Sequence, residues 1–437
     1  MVTELPTQLL NATPTGRTVA GSLQTRAWDM LGGVTLPTHQ SEEWRYIPMR
    51  LLSEITWQEP VAATVSAADL LDIPVASQAE SLAVIVNGTF RADLSHGLEG
   101  LAVEGLAAAI SMGKADKLGQ LADLDTTSFE VAAHHGVLRK PGIDLFARLN
   151  TATFTDGVYC RLEKDAQVAA PIVFLFLTTG SATRVSPRVY FVAESGAEAT
   201  IVEVHATLGS EPTLSLPVTE AWIAPNAKIE YVKLQIEGPA ARHIALTEVE
   251  QSGDCTFKHY NVSYGSLLTR NDVNCAIIGQ NAHTRLDGVT CIAGEQLVDN
   301  HTRLDHAMPN CESFEAYKHL LDGKSTAVFN GKIFVYQDAQ KTDAKQTNQT
   351  VLLSPTATMN TKPQLEIFAD DVKCTHGATV GHLETSMQFY LQSRGIPASE
   401  ARALLVYAFA AEVLDQIESE PVREELESLL FAKLRQS

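Results

Sequence analysis

Between about Leu145 and Thr379 the chain alternates short apolar, β-branched runs with clusters of Gly, Asn, Asp and Pro, the punctuation of strands and tight turns. Four stretches repeat one local pattern, a turn that leads into a strand, beginning at Ser195, Pro225, Ser252 and Gln280. Their starts lie 30, 27 and 28 residues apart with no helical spacing between them. A period near 28 built of strands and turns predicts a solenoid whose coils stack strand on parallel strand. An antiparallel sandwich also spaces short strands regularly and is the competing expectation.

Helical patterns flank this core. Residues 1–150 read as a mixed, mostly helical domain: Trp28 and Leu31 share a face of the run from Ser22, Ser41–Tyr46 has the form of a capped helix start, and helix is expected again from Leu101 to Lys117. Inside it, Ser81–Val86 reads as a strand running into the turn Asn87-Gly88, and Lys140-Pro141-Gly142 is a turn that closes the region. Residues 381–437 return to helical spacing, with a break at Gly395-Ile396-Pro397, then a stripe through Leu404, Ala408, Phe409 and Val413, and a third short helix through Leu426, Leu430 and Leu434. The expected class is mainly β with helical ends: an N-terminal domain at 1–150, a parallel β-helix core at 151–380 and a C-terminal helical domain at 381–437. The last of these is placed to cap the final coil, whose edge is otherwise unpaired.

One segment concentrates chemistry. Phe368–Gly381 holds Asp370, Asp371, Cys374 and His376 in an extended context, and alternation puts Cys374 and His376 on one face, their α-carbons about 7 Å apart. Gly377 and Gly381 are expected to break the extended run. An imidazole beside a thiol can take its proton or stabilise the thiolate, the form that binds iron or sulfur. Two such residues fill half of a tetrahedral site, so further ligands have to come from elsewhere, another chain included; an inert strand cysteine beside a solvated histidine is the plain alternative. Asp370 and Asp371 are candidate accessory ligands, although paired Asp at a strand start commonly forms a turn. Asp299, His301, Asp305, His306, Cys311 and Glu312 form a second cluster within 14 residues that matches no metal template. His134 and His135, beside Gly136, read as solvated loop histidines.

Composition narrows the function. Hydrophobic residues are 45% and charged residues 19% of 437, the balance of a globular protein with a large core. A net charge of −19 without basic clusters argues against nucleic acid and against an anionic membrane surface. No apolar run reaches membrane-spanning length, and Met1–Thr13 carries no Lys or Arg, so the expected location is cytoplasmic. The six cysteines form no CxxC pair, which excludes zinc ribbons and thioredoxin-like motifs. Phosphate-binding GxxxxGK[ST], GxGxxG and GxSxG are all missing from the sequence.

Several ordered blocks resemble the SufB/SufD family of iron-sulfur cluster assembly proteins: residues 342–348 (ThrAspAlaLysGlnThrAsn), 352–354, 361–367, 370–381 and 390–396, with earlier blocks at 149–157, 299–306 and 329–333. Glu42–Tyr46 and Val86–Phe90, with a first cysteine only at Cys160, are similar to the SufD branch rather than to the SufB branch with its N-terminal cysteines. The resemblance implies a right-handed parallel β-helix between helical domains. It implies a non-catalytic scaffold that pairs with a SufB-like paralogue through β-helix ends and docks a SufC-like ABC ATPase on its C-terminal helices. The position matching His376 is implicated in the family in building a nascent cluster with a cysteine of the paralogue, and Cys374 neighbours it. By this resemblance no cofactor is tightly bound to the isolated subunit, iron or a cluster is transient and shared with partner-chain ligands, and a flavin enters only at the level of the complex. His319 stands where relatives often carry a small residue. Alternatives are a SufB-like paralogue, a homodimeric structural protein, and a β-helical polysaccharide-active enzyme, the last disfavoured because acids do not recur at one position of the repeat.

Overall fold

The computed structural model describes residues 19–32, 34–122, 129–133, 136–138 and 145–436. The repeat seen in the sequence is a parallel β-helix made of two sheets. In the first sheet Glu198, Lys228, Thr256, His283, Glu312, Asp343 and Lys373 stack in register, in steps of 30, 28, 27, 29, 31 and 30 residues. The predicted turn-strand starts all fall at the corner that leads into this sheet. That corner repeats because it needs one left-handed residue per coil: Gly196, Asn226, Asp254, Asn281, Asn310 and Lys341 all have φ between 58° and 73°. Gly, Asn and Asp adopt this conformation cheaply, and Lys341 is the exception. Each corner N–H is donated to the carbonyl of the next coil, as in Asp254 N to Gln280 O at 2.8 Å and Lys341 N to Asp371 O at 2.7 Å.

The interior of the early coils is apolar, with Ile172, Phe174, Phe191, Ile201 and Ile229 fully buried between the sheets. Outer faces are covered too. Val406, Ala410, Val413, Leu414, Leu426 and Leu430 of the C-terminal helices pack on the outer face of the first sheet, against a cluster that includes Val262 and Leu320. Trp44, Trp57, Phe146 and Leu149 cover Ile244 and Leu268 of the second.

The block at 149–157 is a fastening. Asn150 and Thr151, on the helix Leu145–Thr153, each accept from Arg188 Nη1 at 3.0 Å, and Asn150 Nδ2 donates to the carbonyls of Pro187 and Leu216. Arg188 Nη2 donates to Glu220 at 2.6 Å with neither side chain exposed. Glu220 also accepts the N–H groups of Gly119, Leu121 and Ala122, so one carboxylate ties a loop, a helix and the second sheet together.

Three expectations need correction. The first 150 residues are not separate from the solenoid: Ser81–Val86 is a strand, and it pairs in parallel with Ile172–Thr179. Helix was expected throughout 101–117, but Ala102–Gly105 is a strand antiparallel to part of Gly157–Leu162 and only Leu106–Ser111 is α-helical. Asp156 enforces the switch, accepting from Phe90 N and Ala107 N. The C-terminal helices Ala398–Leu414 and Glu420–Gln436 lie along the flank of the first sheet rather than over its last strand, and the third helix is not short. The turn expected at 140–142 and His134-His135 lie outside the described residues.

Candidate functional site

Both sheets end on unpartnered strands. Among the described residues Lys373–His382 pairs with one strand, Asp343–Leu352, and Thr358–Ile367 with one strand, Thr326–Val335. In the penultimate strand Ala344, Gln346, Asn348 and Thr350 point into the solenoid and are buried. Cys374, His376, Ala378 and Val380 stand in register above them, on the same inward row, with no coil to cover them.

Cys374 is half-buried and packs against the apolar interior cluster. Burial pushes its thiol pKa up and the Asp343 charge adds to this, against a backbone hydrogen bond to Ala344, so in the free chain it is a protonated thiol. His376 is exposed. Gly377 and Gly381 do not break the strand as expected, since it continues to His382, and a Cβ at either would meet nothing within 4 Å. A glycine pair in an extended edge with open space beside it suits close approach by another backbone. Around this edge Ile367, Phe368 and Val380 are exposed, and the helix Thr385–Ser393 that follows buries none of its side chains, with Met387, Phe389 and Tyr390 all more than half exposed.

The other candidates are not gathered here. Asp371 shapes the last corner, its carbonyl accepting from Lys341 N and its carboxylate pairing with Lys341 Nζ, while Asp370 sits exposed in the same bend. His301 and His306 lie on Leu297–His306 of the second sheet, facing opposite ways. His306 points inward, bonds Ser313 Oγ at 2.9 Å and is held neutral, burial lowering its pKa to about 4. His301 points outward between Asp299, at 2.9 Å, and Glu43, at 3.1 Å. Burial lowers its pKa, but Asp299 and Glu43 prevail over this and over Arg270, raising it to about 9. His319 is fully buried inside, two strands before the edge, with Nδ1 3.2 Å from Asn348 Nδ2 and a pKa that burial lowers to about 3. Among the described residues no three His, Cys, Asp or Glu side chains are grouped to hold a metal ion. At the open edge the chain presents one thiol and one imidazole on the same inward row.

Sequence reasoning did not foresee how Glu42–Tyr46 is used. It forms a 3₁₀ turn, Glu42–Trp44, clasped to the second sheet: Trp44 lies against the Arg270 guanidinium at 4.1 Å, Glu43 meets His301, and Glu42 pairs with Lys362 on the terminal strand. The pattern of acids followed by Trp was the available signal, but its partners lie more than 200 residues away.

A parallel β-helix that ends on two open strands, with a thiol and an imidazole on the uncovered row, is the class of structure that the fold and this edge define. The family model for the SUF system FeS cluster assembly SufBD core domain matches residues 176–409. An iron-sulfur cluster assembly SufBD family protein of Synechocystis is 32% identical over 403 residues, covering 90% of this chain and 86% of that one. The iron-sulfur cluster assembly protein SufD of Escherichia coli is 28% identical over 398 residues, covering 90% and 88%. The chloroplastic protein ABCI7 of Arabidopsis thaliana is 34% identical over 293 residues, covering 64% and 61%. The chain belongs to the SufBD family of iron-sulfur cluster assembly proteins. That membership sets aside the glycan-active alternative. Among the described residues no helix is long and apolar enough to cross a membrane.

Proposed function

We propose that this chain is a scaffold subunit that pairs, through its terminal coil, with a SufB-type paralogue and offers His376, with Cys374 beside it, to a nascent iron-sulfur cluster completed by ligands of the partner. The observation that carries this reading is the open end: an unpaired strand edge is a standing invitation to pair with another chain, and here it bears the only thiol of the six that is not fully buried. The iron and sulfide are cargo, which fits a site built of two groups rather than a resident cage. His376 is the better placed of the two to act early, because it is exposed while the Cys374 proton is held by burial.

A SufC-type ATPase docks, in this reading, on the C-terminal helices, where the exposed Met387, Phe389, Tyr390 and Leu404 form an apolar surface. Co-expression with the paralogue and the ATPase, followed by mass measurement and iron analysis, tests the whole assembly. His376→Ala is expected to leave the complex intact and lower cluster formation. Normal cluster formation by this variant would remove His376 from the site, and a stable homodimer that refuses the paralogue would remove the pairing.

A further inference from the structure

Side chains in register form columns along the solenoid, and one column ends on His376. It runs His259, Leu286, Glu315, Gln346 and His376 on successive strands of the first sheet, all on the inward row. Strands lie about 4.8 Å apart, so each member can touch the next. Two members already do: Gln346 Nε2 donates to Glu315 Oε2 at 2.7 Å, and Glu315 also accepts from the Thr302 hydroxyl of the second sheet. Room for the amide comes from across the interior, where a Cβ on Gly331 would stand 2.3 Å from Gln346 Nε2.

The amide is only half used. Gln346 is 1% exposed, and its Oε1 is buried without a hydrogen-bond partner. A buried acceptor left unpaired is costly, so its presence calls for a donor that the free chain does not supply. With Nε2 fixed on Glu315, Oε1 is the end of the amide left for the other neighbour in the column, which is His376. The rest of the last covered strand offers no equivalent. Ala344 lies beneath Cys374 and has no polar side chain, while Asn348 and Thr350, whose side-chain oxygens are also unpaired, lie beneath Ala378 and Val380, which have nothing to donate. Gln346 alone combines a free oxygen with an edge neighbour that carries a side-chain N–H.

We propose that Gln346 is the positioning residue of His376. Its free amide oxygen accepts one imidazole N–H when a partner subunit covers the terminal coil and turns the ring inward. That bond fixes the tautomer, so the opposite ring nitrogen carries the lone pair and faces the incoming iron. Glu315 acts one step further back, holding the amide in the orientation that leaves Oε1 toward the edge. Cys374 stands over Ala344 and receives no such support, which divides the two groups: the imidazole is oriented by its own chain, and the thiol is not. The inference rests on the reading of His376 as a ligand of the nascent cluster.

Equilibrium dialysis of the complex with the SufB-type paralogue and the SufC-type ATPase against ferrous iron alone tests it, the relevant signal being the iron binding that His376→Ala removes. Gln346→Met keeps the size of the side chain and deletes the acceptor. Its thermal midpoint and its assembly, read by native mass spectrometry, are expected to match the parent, while the His376-dependent iron affinity falls about tenfold or more. Gln346→Glu restores an acceptor and is expected to recover most of that affinity. Glu315→Leu, which frees the amide to turn, is expected to show the same fall and serves where Gln346→Met assembles poorly. Unchanged affinity in Gln346→Met, with binding lost in His376→Ala, overturns the positioning role and leaves His376 a ligand. An equal loss in Gln346→Met and Gln346→Glu overturns it as well, as an effect of packing alone. Unchanged iron binding in His376→Ala overturns the cluster-assembly reading itself, and this inference with it.

Discussion

Raising the pH should loosen the N-terminal clasp before it disturbs the solenoid, and the size of the effect follows from one histidine. His301 sits between Asp299 and Glu43, with Asp272 at 4.0 Å and Arg270 beside it, and its pKa is raised to about 9. In the unfolded chain an ordinary histidine titrates near ~6.5. A raised pKa means the folded state holds the proton more tightly, so the stabilisation is complete below about pH 6.5 and lost as pH climbs through about 9. The difference corresponds to about 3 kcal/mol. It should be felt first by the segment that His301 holds, Glu42–Tyr46, through the Glu43 contact. Amide exchange across residues 42–46 and the emission of Trp44, whose ring lies on Arg270, report that segment directly. Between pH 6.5 and 9.5 global unfolding should become easier by about a hundredfold, while opening of the clasp alone should change by the smaller share that the Glu43 contact carries, Asp299 being the larger cause of the raised pKa, and Glu43→Gln should remove that share. A clasp whose exchange, corrected for intrinsic base catalysis, does not change across this range would show that His301 is neutral there and that the charge network is misread.

Two more outcomes follow from single side chains. Glu220→Gln strands the buried Arg188 charge and turns an amide toward three backbone N–H donors, so it should cost about 3–5 kcal/mol and deprotect the amides of Gly119, Leu121 and Ala122 in hydrogen exchange; a cost under about 1 kcal/mol would refute the hub. Gly377→Val meets nothing within 4 Å in the free chain, so its thermal midpoint should be unchanged while pairing with the paralogue, measured by native mass spectrometry, is lost; undiminished pairing would place the partner elsewhere.

The repeat was legible because the corner imposes a chemical requirement. A left-handed residue once per coil selects Gly, Asn or Asp, and those letters recur at Gly196, Asn226, Asp254, Asn281 and Asn310. Cys374 and His376 were legible as a pair because strand alternation is local. What could not be read is anything that depends on which strand lies next. Gly377 and Gly381 look like breakers in sequence and are edge residues in the fold, since a glycine's role depends on what occupies the space its Cβ would fill. Asp299, His301, Asp305 and His306 look like one cluster, but alternation sends His301 outward to Glu43 and His306 inward to Ser313. The block at 329–333 contains Gly331 for a reason visible only across the sheets: a Cβ there would come within 2.3 Å of Gln346 Nε2, which must reach Glu315.

How force could reach the terminal coil depends on how the C-terminal helices are fastened. Ala398–Leu414 and Glu420–Gln436 are bound to the middle of the solenoid, with the Glu230 carboxylate accepting Glu418 N at 2.7 Å and Ser419 N at 3.2 Å, the Tyr260 hydroxyl donating to Gln416 O, and Lys433 donating to Tyr264 O. Glu420–Gln436 and the turn before it load strands several coils away from His376, whereas Ala398–Leu414 is also fastened nearer the edge, by Glu412 to Lys318 and by Arg402 to Asp322 and the Leu353 carbonyl. Thr385–Ser393 is different: it buries none of its side chains and is joined to His382, the last residue of the edge strand, by two residues. If an ATPase pulls on the docking surface, the path that strains the Cys374–His376 strand runs through this short helix. A flexible Gly-Ser insertion between His382 and Thr385 should therefore uncouple nucleotide hydrolysis from cluster formation while preserving the complex, whereas Glu230→Gln, which weakens only the mid-solenoid fastening, should leave coupling intact and lower stability by about 1–2 kcal/mol. Coupling lost in Glu230→Gln and retained in the insertion variant would reverse the assignment of the load path.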